Sequence, residues 1–292
     1  MSTISPVKVT FDHILVPTDF SDVSLRALEY AKAIAAQQKS ELLLVHVHQP
    51  TNPMVPPEAA WIDESEIVEK QQEQLDQNAA ALRSEGFRAE SISVTGELQD
   101  EILSAVKQHK VDLIVLGTNG DRGLARFLTG SDAEVVLRHA LCPVLSIGPA
   151  AHDSRNQIWP PREVICATDL DPQSAGIAAF AYSLASQHEA QFVLFHADSP
   201  RGQQDSSWAA FDQAFRKHVH VPEGLEGHLS FRTWLTYADP GTSIVDLAKE
   251  RGSDLIVVGA RTASSIATHL ARGTAPKVLG EAPCPVMTLH QS

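Results

Sequence analysis

Two segments of this chain carry residues whose types and spacing suit a phosphorylated, sugar-bearing ligand. The first is Pro17-Thr18-Asp19-Phe20-Ser21. The carboxylate of Asp19 can accept hydrogen bonds from a ribose or a base. The second is Gly117-x2-Gly120-x9-Gly130-Ser131, with a helix expected directly after it. Glycines permit positive φ and close backbone approach. A Gly-Ser step opening a helix offers free N–H groups, a hydroxyl and the positive end of the helix dipole to an anion. Together they suggest a nucleotide, with phosphates at Gly130-Ser131 and sugar or base near Asp19. The same residues also have a plain structural use: glycines after a strand commonly serve turns, and Asp19 could simply sit in the turn before a helix.

Several chemistries are excluded by what the sequence lacks. It contains no G-x-x-x-x-G-K-[ST], no G-x-G, no H-E-x-x-H and no G-x-S-x-G. The phosphate loop of P-loop enzymes, the dinucleotide fingerprint, the zinc-protease helix and the nucleophile elbow are therefore absent. His46-x-His48 and His218-x-His220 are the two histidine pairs. A metal site would need further ligands, so His46 reads as part of a buried strand ending, His218 and His220 read as solvated, and no metal is expected. Cys142, Cys166 and Cys284 are far apart and form no C-x-x-C pair. They fit a reducing cytosol rather than a disulfide framework, and Cys142 and Cys284, each before a proline, read as small buried hydrophobes. The formal net charge of −13 argues against nucleic acid or an anionic membrane as partner. No signal peptide and no membrane-spanning run is expected, which makes the expected location cytoplasmic.

These residues are positioned by elements that occur twice. Ile14-Leu-Val-Pro-Thr-Asp19 recurs as Val164-Ile-Cys-Ala-Thr-Asp169, and Glu41–Val47 recurs as Gln191–Ala197. Asp112-Leu-Ile-Val-Leu-Gly117 recurs as Asp254-Leu-Ile-Val-Val-Gly259, and Cys142-Pro-Val-Leu145 as Cys284-Pro-Val-Met287. The order is kept, with offsets of 150 residues for the first two matches and 142 for the last two. This is a tandem duplication. Copies are expected over residues 1–150 and 162–292, joined by a proline-bearing stretch around Pro149 to Pro161. Within each copy, short apolar runs alternate with helical spacing. In the first copy the strands fall at His13–Thr18, Glu41–His48, Ala89–Thr95, Val111–Gly117 and Pro143–Ile147. Ser21 caps a helix in which Leu25, Leu28, Ala31 and Ile34 form the apolar stripe. Near-continuous apolar strands alternating with helices imply α/β architecture with a parallel sheet covered on both faces.

Gly117-x2-Gly120-x9-Gly130-Ser131 resembles the ATP-binding signature of the universal stress protein family, G-x2-G-x9-G-[ST]. The opening Ile14–Ser21, the strand end Val45-His-Val47 and the ending Cys142-Pro-Val-Leu145 are also similar to that family. The resemblance covers nearly the whole chain as two copies. It implies two tandem doubly wound five-stranded parallel sheets in the order 3-2-1-4-5, the adenine-nucleotide alpha-hydrolase-like fold. It also implies that Pro17, Asp19 and Val47 flank adenine and ribose, that Leu116 and Gly117 lie at the strand-four exit, and that Gly120, Gly130, Ser131 and Asp132 face the phosphates. The implied ligand is ATP. Asp121 and Asp132 add negative charge along that path, to be offset by Arg122, Arg126 or a divalent cation such as Mg. The second copy departs from the pattern, with Thr262 in place of Gly120, Gly273-Thr274 one residue late, and Ala167 and Ala197 where the first has Pro17 and Val47. Its site is expected to be empty or to hold something smaller, with Arg261 and Arg272 leaving room for a weak anion site. No nucleophile or triad can be assembled, so a regulatory role is expected rather than catalysis. A slow ATPase or nucleotidyl-transfer enzyme, and an interaction module without nucleotide, are the alternatives. Strand five is an edge in this order, and its apolar residues imply an intrachain pseudo-dimer or a homodimer.

Overall fold

The computed structural model describes residues 8–49, 64–118, 135–137, 139–151, 159–198, 204–218, 229–235, 239–260 and 274–290. The chain divides into two compact units, Phe11–Cys142 and Met1–Thr10 with Pro143–Ser292.

The Phe11–Cys142 unit runs β1 (His13–Pro17), α1 (Asp22–Gln38), β2 (Glu41–His48), α2 (Glu64–Ser84), β3 (Arg88–Thr95), α3 (Leu98–Gln108) and β4 (Leu113–Gly117). Its strands are parallel in the order β3-β2-β1-β4. Ile14, Leu15 and Val16, Leu42 to Val45, and Leu113 to Leu116 are all buried, as strands covered on two faces require. The stripe of α1 is rotated in part from the expected one. Ala31 and Ile34 are buried as expected, joined by Ala27, Tyr30 and Ala35, whereas Leu25 is 43% exposed. On α3, Leu98, Ile102, Ala105 and Val106 form the buried stripe.

The other unit runs β5 (Val144–Ile147), β6 (Glu163–Ala167), a 3-10 turn (Pro172–Ser174), α4 (Ala175–Gln187), β7 (Gln191–Asp198), α5 (Gln204–His218), β8 (Leu229–Leu235), α6 (Pro240–Arg251), β9 (Leu255–Ala260), α7 (Thr274–Glu281) and β10 (Val286–His290). The order β8-β7-β6-β9-β10 is parallel throughout. It is the 3-2-1-4-5 order implied by the resemblance. Strand β5, which the repeat assigns to the first copy, pairs antiparallel with β10 in the register Ser146↔Val286, Leu145↔Met287, Val144↔Thr288. The compact units therefore part just before β5, whereas the repeat places the join after it.

One clamp recurs at the start of each copy's first strand. The carboxylate of Asp112 accepts hydrogen bonds from the backbone N–H groups of Asp12 (2.7 Å) and His13 (3.1 Å). Asp254 accepts from Arg162 (2.8 Å) and Glu163 (3.2 Å). Among the described residues no helix is long and apolar enough to cross a membrane.

Candidate functional site

In the Phe11–Cys142 unit a cleft opens at the carboxyl ends of β1 and β2 and the start of α3. It is lined by Pro17, Thr18, Asp19, Val45, His46, Val47, Gln49 and Leu98. Ligands of open parallel sheets bind beyond these strand ends.

The loop between β1 and α1 is shaped by its own side chains. The Thr18 N–H donates to the Val45 carbonyl (2.9 Å), continuing the β1–β2 ladder by one step. Phe20 then adopts φ 64°, a left-handed conformation unusual for a residue with a Cβ. Its N–H donates to Thr18 Oγ1 (3.0 Å), which also lies 3.2 Å from Ser24 Oγ. Asp19 Oδ1 accepts from the Ser21 N–H (3.1 Å) and from Ser21 Oγ (2.6 Å). Ser21 caps α1, its Oγ accepting from the Ser24 N–H at 3.3 Å. The carboxylate at the cleft is thus held by the residue that starts the helix. His46, 7% exposed, closes the floor, with Nδ1 2.8 Å from the Thr18 carbonyl oxygen and its ring centroid 4.8 Å from that of Phe20.

Of the residues singled out in the sequence, Pro17, Asp19 and Val47 come together around this cleft. Leu116 is buried within β4, 1% exposed. Gly117 ends β4, and its need for glycine is met inside the protein: a Cβ there would lie 2.7 Å from both Cγ1 and the carbonyl oxygen of Val23 in the first turn of α1. Gly120, Gly130, Ser131 and Asp132 lie outside the described residues, as do Asp121, Arg122 and Arg126 and, in the second copy, Arg261, Thr262, Arg272 and Gly273. Sequence reasoning passed over Thr18, Val45, His46, Gln49 and Leu98 as lining residues. Leu98 carried a signal in its place: it opens a helix directly after the third strand, hence at the same strand ends as Asp19.

The second copy builds the same loop without the same walls. Thr168 N–H donates to the Phe195 carbonyl (2.9 Å), Leu170 has φ 60° and donates to Thr168 Oγ1 (3.0 Å), and His196 Nδ1 lies 2.9 Å from the Thr168 carbonyl oxygen. Asp169 Oδ1 accepts from the Asp171 N–H (3.0 Å) and Ser174 Oγ (2.8 Å). Ala167 and Ala197 stand where the first copy has Pro17 and Val47.

All three cysteines are free and buried. Burial pushes the thiols of Cys142 and Cys166 up to about 12, and that of Cys284 upward as well, so none is a nucleophile at neutral pH. Among the described residues no group of three or more His, Cys, Asp or Glu gathers to hold a metal.

Comparison with known proteins agrees with the repeat. The model of the universal stress protein family matches residues 10–147 and again 161–290. A universal stress protein of Methanocaldococcus jannaschii is 36% identical over 140 residues, covering 47% of this chain and 82% of that protein. One from Bacillus subtilis is 35% identical over 147 residues, covering 47% and 99%. The crystal structure of a universal stress protein from Archaeoglobus fulgidus superimposes with a TM-score of 0.74 at 23% identity, covering 96% of this chain and 97% of that one, a likeness of fold.

Proposed function

The chain belongs to the universal stress protein family, and we propose that its first copy, residues 1–150, holds an adenine nucleotide, ATP, as a regulatory signal in the cytoplasmic response to stress. The observation that carries this reading is the gathering of Pro17, Asp19 and Val47 around one cleft at the carboxyl ends of β1 and β2. Apolar walls from Pro17, Val47 and Leu98 suit the faces of a purine, and the preset carboxylate of Asp19 suits a ribose hydroxyl. Gly117-x2-Gly120-x9-Gly130-Ser131 supplies the backbone for the phosphates, with Mg offsetting Asp121 and Asp132. The second copy, residues 162–292, is a structural partner. Its β10 pairs with β5, so a duplicated chain satisfies both strand-five edges internally as a pseudo-dimer, without a second chain.

Mass spectrometry of small molecules released from denatured, freshly purified protein is expected to find an adenine nucleotide. In calorimetric titration with ATP, Gly130→Val abolishes binding, because its branched side chain fills the phosphate path. Asp19→Ala weakens it by about 1–3 kcal/mol, the size of a hydrogen bond lost from a charged acceptor. No released nucleotide together with no ATP binding by the wild type overturns the reading.

A further inference from the structure

The end of β2 holds a feature that nucleotide binding does not use. His46 and His48 are two residues apart on one strand, so their rings project from the same face of the sheet. Both rings are pinned through Nδ1. That of His46 is 2.8 Å from the Thr18 carbonyl oxygen, and that of His48 is 3.1 Å from Gln71 Oε1 on α2. Carbonyl and carboxamide oxygens only accept, so in each ring Nδ1 carries the proton and Nε2 presents a lone pair. Both Nε2 atoms are buried, and neither has a hydrogen-bond partner among the described residues.

One unsatisfied buried nitrogen is a packing accident that a fold can tolerate. Two on the same face of one strand, each with its other nitrogen tied to a carbonyl-type oxygen, form the pattern of metal-ligating histidines. Such residues donate their second N–H to a carbonyl or carboxylate, which fixes the tautomer and turns the lone pair toward the ion. We propose that His46 and His48 bind a late first-row transition metal cation of the Zn(II) class through their Nε2 atoms. Imidazole pairs suit Zn, Cu and Ni. No third His, Cys, Asp or Glu joins them among the described residues, so water completes the coordination sphere and the affinity is modest beside that of a four-ligand structural site. Asp19 lines the same cleft as His46, and its carboxylate favours a cation nearby. The site belongs to the first copy. His196 repeats the Nδ1 contact to a loop carbonyl, but the residue two further on is Asp198. The inference does not depend on the nucleotide reading.

Tag-free full-length protein, without nucleotide, is titrated with Co(II), read by its visible ligand-field bands, and then with Zn(II) as competitor. Wild type is expected to take up about one equivalent of Co(II) in these bands, displaced by Zn(II). His48→Gln and His46→Gln each lower the apparent affinity about tenfold or more. His48→Gln is the decisive variant, because His46→Gln also removes the bond to the Thr18 carbonyl. A double variant at the chain's other pair, His218→Gln with His220→Gln, keeps the bands. The proposal is overturned if wild type shows no Co(II) bands, if His48→Gln retains wild-type affinity, or if the bands vanish with His218 and His220 instead.

Discussion

The loops after β1 and β6 are built alike but walled differently. In both, a threonine extends the ladder and receives the N–H of a residue at φ near 60°. An aspartate is fixed by the next turn, and a histidine braces the threonine carbonyl. These contacts survive in a copy whose glycine signature has decayed, so they are what the fold requires of the loop. What only the first copy has is Pro17 and Val47 in the cleft lining, where the second has Ala167 and Ala197, and in sequence the Gly120, Gly130 spacing, where the second has Thr262 and a late Gly273. Residues present in both copies carry the scaffold, and residues present in one are those the proposed ligand would need.

The largest effect expected from breaking this scaffold is at Gly117. Its missing Cβ leaves room for Val23, whose backbone cannot retreat without dragging the first turn of α1. Gly117→Ala is expected to destabilise by about 1–3 kcal/mol, the usual range for overpacking, read as a fall in the urea midpoint. By contrast, a Cβ on Gly176, exposed at the start of α4, meets nothing within 4 Å. Gly176→Ala is expected to stabilise by about 0.4–1 kcal/mol. A silent Gly117→Ala would return that glycine from the scaffold to the ligand.

Thr18→Val and Thr168→Val sharpen the comparison. Each removes the acceptor of an N–H held at positive φ, at a cost of about 1–3 kcal/mol for the buried group left unpaired. Similar losses in both copies support a shared scaffold, whereas a loss confined to Thr18 would tie that contact to the ligand. Capping gives a smaller matched pair. Ser21 caps α1, and Asp171 Oδ1 accepts from the Gln173 N–H (2.9 Å) in the turn before α4. Alanine at either is expected to cost about 1 kcal/mol in thermal or urea melts.

The division between scaffold and ligand also marks how far the sequence could be read. The α/β plan was legible because Leu42 to Val45 and Leu113 to Leu116 are apolar runs of strand length, and the duplication exposed each element twice. The rotation of α1 was not. Hydrophobicity favours Leu25, but burial went to Ala27, Tyr30 and Ala35 beside the expected Ala31 and Ile34. Around the cleft, Pro17, Asp19 and Val47 are lining residues that the motif also names. The roles of Thr18 and His46 were not legible, because they run through backbone carbonyls, which no residue pattern displays. The orphaned Nε2 atoms of His46 and His48 are of the same kind. The spacing alone was insufficient, and the bonds at Nδ1 supplied the rest.

The smallest expected effect concerns the clamp at the far end of the same strands. Burial raises the Asp112 carboxyl above its usual value of 3.8, and the N–H groups of Asp12 and His13 only partly offset this. A carboxyl raised in the folded state favours folding most when protonated. Its contribution is complete below pH 3.8 and is lost as pH rises through the folded value. Asp112→Asn removes this titration and keeps one acceptor oxygen for two N–H donors. The gap, wild-type stability minus that of the variant, should grow as pH falls from neutral toward 3.8, because wild type gains from protonation and the variant does not. Urea melts of both proteins across that range check the sign. A gap that narrows on acidification would mean that the two N–H bonds outweigh burial and that the carboxylate is the favoured form. The matched variant Asp254→Asn in the same melts tests whether the second copy's clamp, which accepts both its N–H bonds on one oxygen, is worth as much. With a single oxygen already bearing both bonds, asparagine can keep them, and its loss is expected to be the smaller of the two.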